Sequence, residues 1–166
     1  MKTILSEKLP RIIKNKKHLE KQLNVKITNR GKEVYISGSP EDEYFAEKVI
    51  DALNFGFIFS TAILIKQENF IFEILNIKSH TKRQDLKTIR SRIIGKGGKT
   101  LQTLNQLTKC NFELKDNHIG IIGAPENIEN AQEAVISIIK GSKQSNVYAH
   151  LEKNQIKEVV DLGLKK

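Results

Sequence analysis

The run Gly95–Lys99, which reads glycine, lysine, glycine, glycine, lysine, is the stretch of this chain best suited to bind a polyanion. Glycine reaches positive φ angles without strain and lets another molecule approach the backbone, because it has no Cβ atom. Downstream, Leu101, Leu104 and Leu107 recur every three residues, as on one face of a helix. The glycines therefore lie where a helix begins, and the unpaired N–H groups of a helix start favour a phosphate.

Two other phosphate-binding loops do not fit this run. The nucleoside-triphosphate loop requires G-x-x-x-x-G-K-[ST], and its first glycine is replaced here by Ile93. The dinucleotide fingerprint G-x-G-x-x-G requires a third glycine where this chain has Thr100. The pattern that fits is I-G-x-x-G between two helices. We therefore predict a clamp for a nucleic acid's phosphate backbone.

The composition favours a protein of the cell interior over a membrane or secreted protein. The 166 residues are 39% hydrophobic, which is enough to bury a core, and the net charge is +9. No run approaches the apolar length of a membrane span, and the first residues reach a charge too early for a secretory signal. The single Cys110 excludes an internal disulfide, fits a reducing cytoplasm and reads as a small buried thiol. We expect a cytoplasmic protein.

The positive charge is concentrated before and within the glycine run. Between positions 78 and 99 one acid, Asp85, opposes eight basic residues, namely Lys78, Lys82, Arg83, Lys87, Arg90, Arg92, Lys96 and Lys99. Such a charge run is usually a solvated face. Because this one leads into the glycines, it favours a polyanionic partner.

Both halves of the chain predict the order strand, helix, helix, strand, strand, helix, and they share short motifs. Arg11–Ile13 matches Arg92–Ile94, and Gly38–Glu41 matches Gly123–Glu126. Where the second half has its glycine loop, the first has Lys14–Lys17. Without glycine a close backbone approach is hindered, so we expect the first copy to be mainly structural or protein-binding, with weak, salt-sensitive help in binding RNA.

The predicted fold class is α+β, with two tandem domains and a C-terminal helix. The predicted boundaries are 1–56 for the degenerate first domain, 57–69 for an apolar junction that packs the halves together, and 70–141 for the domain with the glycine loop. Residues 142–166 are predicted to form a polar connection and a last helix, which would contain Ile156, Val159 and Val160.

The I-G-x-x-G pattern in this setting resembles the KH domain signature, whose loop grips about four nucleotides of single-stranded RNA or DNA. The resemblance implies two type I KH domains, each β-α-α-β-β-α, the first lacking the GxxG loop. In having a degenerate first copy and an intact second copy, the chain is similar to the ribosome-assembly family of Partner of Nob and its archaeal relatives. The motifs that carry this likeness are Phe55–Phe57, Arg92–Thr100, the pattern I-x-I-x-G-x-x-x-N-I-x-x-A from Ile119 to Ala131, and the Ser145–Tyr148 tail.

The family resemblance implies binding to the 3′ region of small-subunit rRNA and help with 3′-end maturation. It also implies two protein partners, the PIN-domain endonuclease Nob and the alpha subunit of translation initiation factor two. Archaeal members often keep a first glycine loop, which eukaryotic members have lost, as here. The chain nevertheless lacks the eukaryotic N-terminal extension, so we expect an archaeal source.

The predicted RNA site comprises Arg92, Ile93, Ile94, Gly95, Lys96, Gly97, Gly98, Lys99, Thr100 and Leu101. N–H groups around Gly97 and Gly98 and the adjacent lysines would hold phosphates, and the isoleucines, Leu101 and the strand near Phe112 would wall a groove for about four bases. Ile93, Leu101 and Phe112 also fit a core role, and Gly95 also fits a helix cap. The auxiliary candidates Arg83, Lys87 and Arg90 fit either a solvated face or contacts with RNA.

We do not expect an enzyme, a metal or a cofactor. The four histidines, His18, His80, His118 and His150, are scattered, and no Cys/His spacing suits a metal. Two other functions are compatible with the sequence. One is a general RNA-binding regulator without ribosome specificity, and the other is an adaptor whose basic face docks an acidic protein.

Overall fold

The computed structural model describes residues 1–155, and the first half of the chain forms one three-stranded sheet packed against helices. The two helices predicted after the first strand are present and are separated at Asn15. The elements of this half are β1 (Lys2–Leu5), α1 (Leu9–Lys14), α2 (Lys16–Leu23), β2 (Lys26–Arg30), β3 (Glu33–Ser37) and α3 (Pro40–Phe55).

The second half repeats this order after two one-turn helices, α4 (Phe59–Ala62) and α5 (Leu64–Gln67). A single 3-10 turn follows its first strand and another precedes α7. The elements of this half are β4 (Ile71–Asn76), α6 (Leu86–Ile94), α7 (Lys99–Thr108), β5 (Asn111–Lys115), β6 (His118–Gly123) and α8 (Pro125–Ile139).

The two sheets have the same topology. In each, the last strand of the half lies in the middle and pairs antiparallel with both others, giving the orders β1-β3-β2 and β4-β6-β5. Tyr35 lies opposite Thr3 and Thr28, and Gly120 lies opposite Ile74 and Glu113. The mixed helix and sheet content confirms the α+β prediction.

Each half buries its own apolar side chains between sheet and helices. In the first helix pair Ile12 and Leu19 are fully buried, and in the second pair Ile93 and Leu104 are. Burying such a side chain contributes about 1.5–3 kcal/mol before the entropy of ordering the chain is counted. The helix pairs are therefore held to their sheets by equivalent apolar contacts.

Aromatic rings join the two halves. The Phe55 and Phe57 rings at the end of α3 each lie 5.7 Å from the Phe72 ring on β4, centroid to centroid. A Cβ added to Gly120 on β6 would stand 2.8 Å from Phe55 and 2.9 Å from Phe57. The missing side chain therefore lets the second sheet lie directly against the end of the first half.

The C-terminal prediction needs correction. The stretch read as a polar connection begins a helix, α9 (Gln144–Lys153), which packs on α7 and α8. Val147 and Leu151 are its buried contacts, four residues apart on one face. The helix predicted around Ile156 and Val160 lies outside the described residues.

Candidate nucleic-acid interface

The glycine run forms a turn between α6 and α7 in which three residues have positive φ angles. Helix α6 ends at Ile94, and φ is 78° at Gly95, 62° at Gly97 and 78° at Gly98. Residues with a Cβ atom adopt this region at a cost of about 1–2 kcal/mol each. The local sequence therefore specifies this turn through its glycines.

The first glycine is also required by packing. A Cβ atom at Gly95 would stand 2.1 Å from Oγ1 and 2.7 Å from Cβ of Thr100, which is buried in the first turn of α7. At Gly97 and Gly98, by contrast, an added Cβ would meet nothing within 4 Å. The turn therefore packs tightly against Thr100 at its start, Gly95, and is open to solvent at its tip, Gly97 and Gly98.

Two backbone amides remain open at this tip. The Gly98 N–H donates to the Gly95 carbonyl at 3.1 Å, and the Lys99 N–H donates to the Lys96 carbonyl. Within residues 1–155, neither the Lys96 nor the Gly97 amide donates to a protein acceptor. The predicted amide donors are therefore shifted by one residue, because the turn itself uses the Gly98 amide.

Two lysines place positive charge beside the open amides. Lys96 and Lys99 are exposed, and neither forms a salt bridge within the described part of the chain. A phosphate at the turn could accept hydrogen bonds from the amides while both ammonium groups approach it, since charge-assisted hydrogen bonds are the stronger kind.

Two of the predicted site residues are buried, and a third, the half-buried Arg92, is bonded to another part of the chain. Ile93 is fully buried and Thr100 is nearly so. Arg92 donates from Nη1 to the Ile138 carbonyl at 2.8 Å and from Nη2 to the Ser142 carbonyl, at the end of α8. These contacts hold α6 in place, whereas Ile94, which is 37% exposed, can meet a ligand.

A groove of about 640 Å³ runs beside α7. One wall is formed by α7, through Leu101, Gln102, Asn105 and Gln106, and the other by Asn111–Glu113 of β5. Leu101 and Phe112 lie where the sequence predicted a groove wall. The amide side chains were missed, although their spacing on one helix face beside Leu101 could have revealed them.

Two of these amide side chains form a hydrogen bond with each other. Asn105 donates from Nδ2 to Oδ1 of Asn111 at 3.1 Å, across the groove from α7 to β5. This bond leaves the carbonyl of one amide and the NH₂ group of the other with free capacity. Such a donor and acceptor pair can read the hydrogen-bonding edge of an unpaired base.

The groove also contains one acidic side chain. Burial raises the pKa of the Glu113 carboxyl, and the nearby charges of Arg11 and Lys8 partly oppose that shift. An ionised Glu113 would repel a phosphate, so the state of this carboxyl affects how well the groove accepts a polyanion.

Two of the three auxiliary basic residues have side-chain partners within the protein, and the third is exposed. Arg83 pairs with Asp85 at 3.1 Å on the surface, and Lys87 is exposed. Arg90 donates to the Asn117 side chain in the turn between β5 and β6. Lys87 is therefore the most available of the three.

Other kinds of site receive no support from residues 1–155. This part of the chain contains no helix long and apolar enough to cross a membrane and no group of three His, Cys, Asp or Glu residues that could hold a metal. Cys110 is buried, as the sequence predicted, and burial raises the pKa of its thiol to about 11. A thiol with such a pKa is a poor nucleophile at neutral pH.

The comparison with known families decides the identity of this fold. Residues 71–156, slightly more than half of the chain, match the model for the second KH domain of PNO1, described as a eukaryotic type KH domain (KH-domain type I). The chain belongs to the PNO1 family. The match includes the glycine turn, both of its flanking helices and the second sheet. The predicted family resemblance is confirmed.

The similarity of this PNO1-family chain to known proteins extends over both halves. The pre-rRNA-processing protein pno1 of Aspergillus oryzae is 32% identical over 82% of this chain and 55% of that protein. The Dim2p crystal structure from Pyrococcus horikoshii OT3 has a TM-score of 0.84 and 26% identity, covering 92% of this chain and 98% of that one. A second Pyrococcus horikoshii structure, of an a/eIF2alpha-aDim2p-rRNA complex, has a TM-score of 0.81 and 28% identity, with 92% of each chain covered. The chain spans between half and two thirds of the length of the curated relatives that it matches.

Proposed function

We propose that this PNO1-family chain binds single-stranded rRNA of the small ribosomal subunit during assembly. In this proposal it binds near the 3′ end of that rRNA and assists its maturation without catalysing a reaction itself. The observation that carries the proposal is the turn at Gly95–Lys99, with two open amides and two exposed lysines beside a groove. The names of the relatives support the ribosomal setting, since one is a pre-rRNA-processing protein and another was solved with rRNA.

The mechanism divides the binding energy between backbone and bases. The Lys96 and Gly97 amides and the lysines of the turn hold consecutive phosphates, which gives affinity without sequence preference. Ile94 and Leu101 contact the faces of about four unpaired bases, and Asn105 and Asn111 bind base edges. Arg92, Ile93 and Thr100 contribute indirectly, because they fix the helices that carry the turn.

The proposed organisation is a tandem of two type I KH domains. Residues 1–56 form the domain without a GxxG loop, 57–69 the junction, 70–141 the RNA-binding domain, and 142 onward a C-terminal extension. The alpha subunit of translation initiation factor two is a proposed partner, supported by the complex that contains the Pyrococcus protein. The endonuclease Nob is proposed as a partner on the family resemblance alone.

The test of RNA binding uses two adjacent substitutions in the turn, Lys96→Asp and Gly97→Asp. They reverse one charge and place a carboxylate at the open amides, so we expect the affinity for single-stranded RNA to fall by about 100-fold or more. Fluorescence anisotropy measures the affinity, and circular dichroism checks the fold. Retained affinity in a folded variant would refute the proposed site.

The chain offers a matched control for this variant. Lys140 and Gly141 are also an adjacent lysine and glycine, Gly141 has a φ of 103°, and a Cβ there would meet nothing within 4 Å. Lys140→Asp with Gly141→Asp therefore makes the same change in charge at another glycine of positive φ outside the groove. We expect this control to bind RNA like the unsubstituted protein.

Crosslinking in cells followed by sequencing tests the ribosomal assignment. Reads concentrated at the 3′ end of small-subunit rRNA are expected. Reads dispersed over mRNA would indicate a general RNA-binding regulator, and very few reads would indicate a protein adaptor.

A further inference from the structure

Strand β4 is an outer strand of the second sheet, and one of its two sides is unpaired. It pairs antiparallel with β6 alone, and β5, which forms a wall of the groove beside α7, lies at the opposite edge of that sheet. Every second residue of such a strand directs its N–H and C=O groups away from the partner strand. Within residues 1–155, no other backbone group bonds to residues 71–76. The outer side of β4 is therefore open to a further strand.

The amino acids of β4 do not protect this edge against pairing. Folded proteins commonly protect an outer strand with lysine or proline. The outer strands of the first sheet carry lysine, namely Lys2 on β1 and Lys26 on β2, whereas the only charged side chain of β4 is Glu73. Ile71 and Ile74 are 36% and 52% exposed, one on each face of β4. A strand added at this edge would contact both of these side chains.

Two adjacent grooves lie between β4 and helix α3, and we call them together the β4 groove. Their volumes are about 310 and 520 Å³, and both are lined by Lys48, Phe72 and Glu73. On α3, Tyr44, Lys48 and Asp51 are spaced four and three residues apart, so they lie on one face of the helix. The β4 groove thus follows the edge strand and has a helix face as its second wall.

The chain segment that builds the β4 groove is acidic, although the whole chain has a net charge of +9. Residues 40–76, from the start of α3 to the end of β4, contain two basic residues and seven acids. The acids are Glu41, Asp42, Glu43, Glu47, Asp51, Glu68 and Glu73. Residues 78–99, which lead into the glycine turn, have the opposite balance, with eight basic residues and one acid. The two charges are therefore separated along the chain.

Two of these acids line the β4 groove without a salt bridge. Neither Asp51 nor Glu73 forms one within the described residues. Of the two basic residues in the groove, Lys115 pairs with Glu7 at 3.3 Å. Burial raises the pKa of the Asp51 carboxyl, and the charge of Lys48 only partly opposes that shift. A further cation in the groove would favour the ionised form of Asp51.

We propose that the β4 groove binds an extended, basic segment of another protein, which pairs with β4 as an added strand. Lysine or arginine side chains of the segment would lie beside Asp51 and Glu73, and the apolar side chains between them would contact Ile71 and Ile74. This site is separate from the proposed RNA site, since β4 and β5 lie about 10 Å apart across β6. The chain could therefore hold RNA at one edge of its second sheet and a protein at the other.

A basic protein segment fits the β4 groove better than RNA or a second copy of this chain. The acids of the groove would repel phosphates, whereas they attract lysine and arginine. A second copy could offer its outer strand β2, which carries Lys26 and Arg30. Joining β4 of one copy to β2 of the next is a head-to-tail contact, however, and such contacts continue into rings or open filaments.

The test uses a fluorescent peptide of about ten residues that alternates lysine and valine, titrated with the full chain in the absence of RNA. A second peptide has glutamate in place of each lysine. The disrupting variant is Glu73→Lys/Ile74→Lys, which places lysines on the edge strand. The matched control is Leu5→Lys/Glu33→Lys, because Leu5 and Glu33 are also an exposed apolar residue and an exposed acid, opposite each other in the first sheet.

We expect the lysine peptide to bind the unsubstituted chain and the control variant equally well. It should bind Glu73→Lys/Ile74→Lys about ten-fold or more weakly, and the glutamate peptide should not bind. Fluorescence anisotropy measures these affinities, and circular dichroism checks the folds. Hydrogen–deuterium exchange at residues 71–76 should slow when the lysine peptide binds, because outward-facing amides of β4 become hydrogen-bonded.

Several results would overturn the inference. They are no binding of the lysine peptide, equal binding by the two variants, equal binding of the two peptides, or binding without slower exchange in β4. Self-association that Glu73→Lys/Ile74→Lys abolishes, seen by analytical ultracentrifugation, would make a second copy the occupant instead. Lys96→Asp/Gly97→Asp should lose RNA and keep the lysine peptide, so each of the two sites can fail without the other.

Discussion

The helix pairs of the two halves share their packing and differ in the connection between the helices. Arg11 and Arg92 both donate to carbonyls at the end of the last helix of their own half. The buried residues Ile12 and Leu19 are seven positions apart, whereas Ile93 and Leu104 are eleven apart. The second pair therefore contains four additional residues between equivalent core positions.

The four additional residues are the tip of the glycine turn. In the first half Asn15 alone separates α1 from α2, at a φ of −101°. Its Nδ2 donates to the Arg11 carbonyl at 2.8 Å and so closes the end of α1. The prediction that Lys14–Lys17 replace the glycines one for one was wrong, because the core positions show that the loop is missing. The comparison teaches that this fold packs equally well with and without its binding loop.

The largest expected effect comes from shortening the connection between α6 and α7 to the length of the connection between α1 and α2. Deleting Lys96–Lys99 should preserve a folded chain, because the first half already folds with this spacing, but should weaken RNA binding by about 100-fold or more. Anisotropy titrations and thermal unfolding measure the two effects. If binding survives the deletion, the groove and not the turn provides the affinity.

Next in size is the effect of a methyl group at Gly95. Because its Cβ would overlap Thr100 at a positive φ, Gly95→Ala should destabilise the fold by about 3 kcal/mol, against about 1–2 kcal/mol for Gly97→Ala. Lys14→Ala in the first half should change the free energy of unfolding by less than about 0.5 kcal/mol. Urea denaturation measures all three, and equal costs at both glycines would contradict the packing argument.

The two arginines test whether the halves are equivalent in stability. Arg11→Ala and Arg92→Ala should each lower the free energy of unfolding by about 1.5–3 kcal/mol, because each leaves backbone carbonyls without a charged donor. The Arg92 variant should keep most of its RNA affinity. Normal stability with lost RNA binding would instead restore the direct RNA contact that the sequence suggested for Arg92.

The smallest expected effect concerns Glu113, whose equivalent position in the first half is Thr28. Burial raises the pKa of the Glu113 carboxyl, so it takes up a proton at a higher pH than an ordinary glutamate. Lowering the pH below neutral should therefore protonate Glu113 before the ordinary glutamates, remove a negative charge from the groove and strengthen RNA binding by about two- to three-fold.

The matched variant for this prediction is Glu113→Gln, which should bind RNA more tightly at neutral pH. Its affinity should change less with pH than that of the unsubstituted chain, so the difference between the two separates Glu113 from histidines elsewhere. The same carboxyl favours the folded state as the pH falls, because the folded chain binds its proton more tightly than the unfolded chain. Identical pH profiles would exclude any role of Glu113 in the groove.

Local sequence was sufficient for most elements and for the position of the turn. The repeated motifs Gly38–Glu41 and Gly123–Glu126 coincide with the starts of α3 at Pro40 and α8 at Pro125, and Ser39 accepts the Asp42 N–H at 3.2 Å as the cap of α3. Helix α9 was not predicted at Gln144–Lys153, because Val147 and Leu151 are identified as its buried residues only by their contact with α7 and α8.

The sequence by itself determined the repeated α+β order and the place where a phosphate could approach bare backbone, because glycines, caps and periodic apolar residues act over a few neighbouring positions. Only the tertiary structure decided which side chains of that stretch are accessible. Arg92 donates a hydrogen bond to the Ile138 carbonyl of α8, Ile93 is buried in the core, and Asn105 donates a hydrogen bond to Asn111 across the groove. These contacts depend on how α6, α7 and α8 pack on the second sheet, which the local sequence around each residue does not specify.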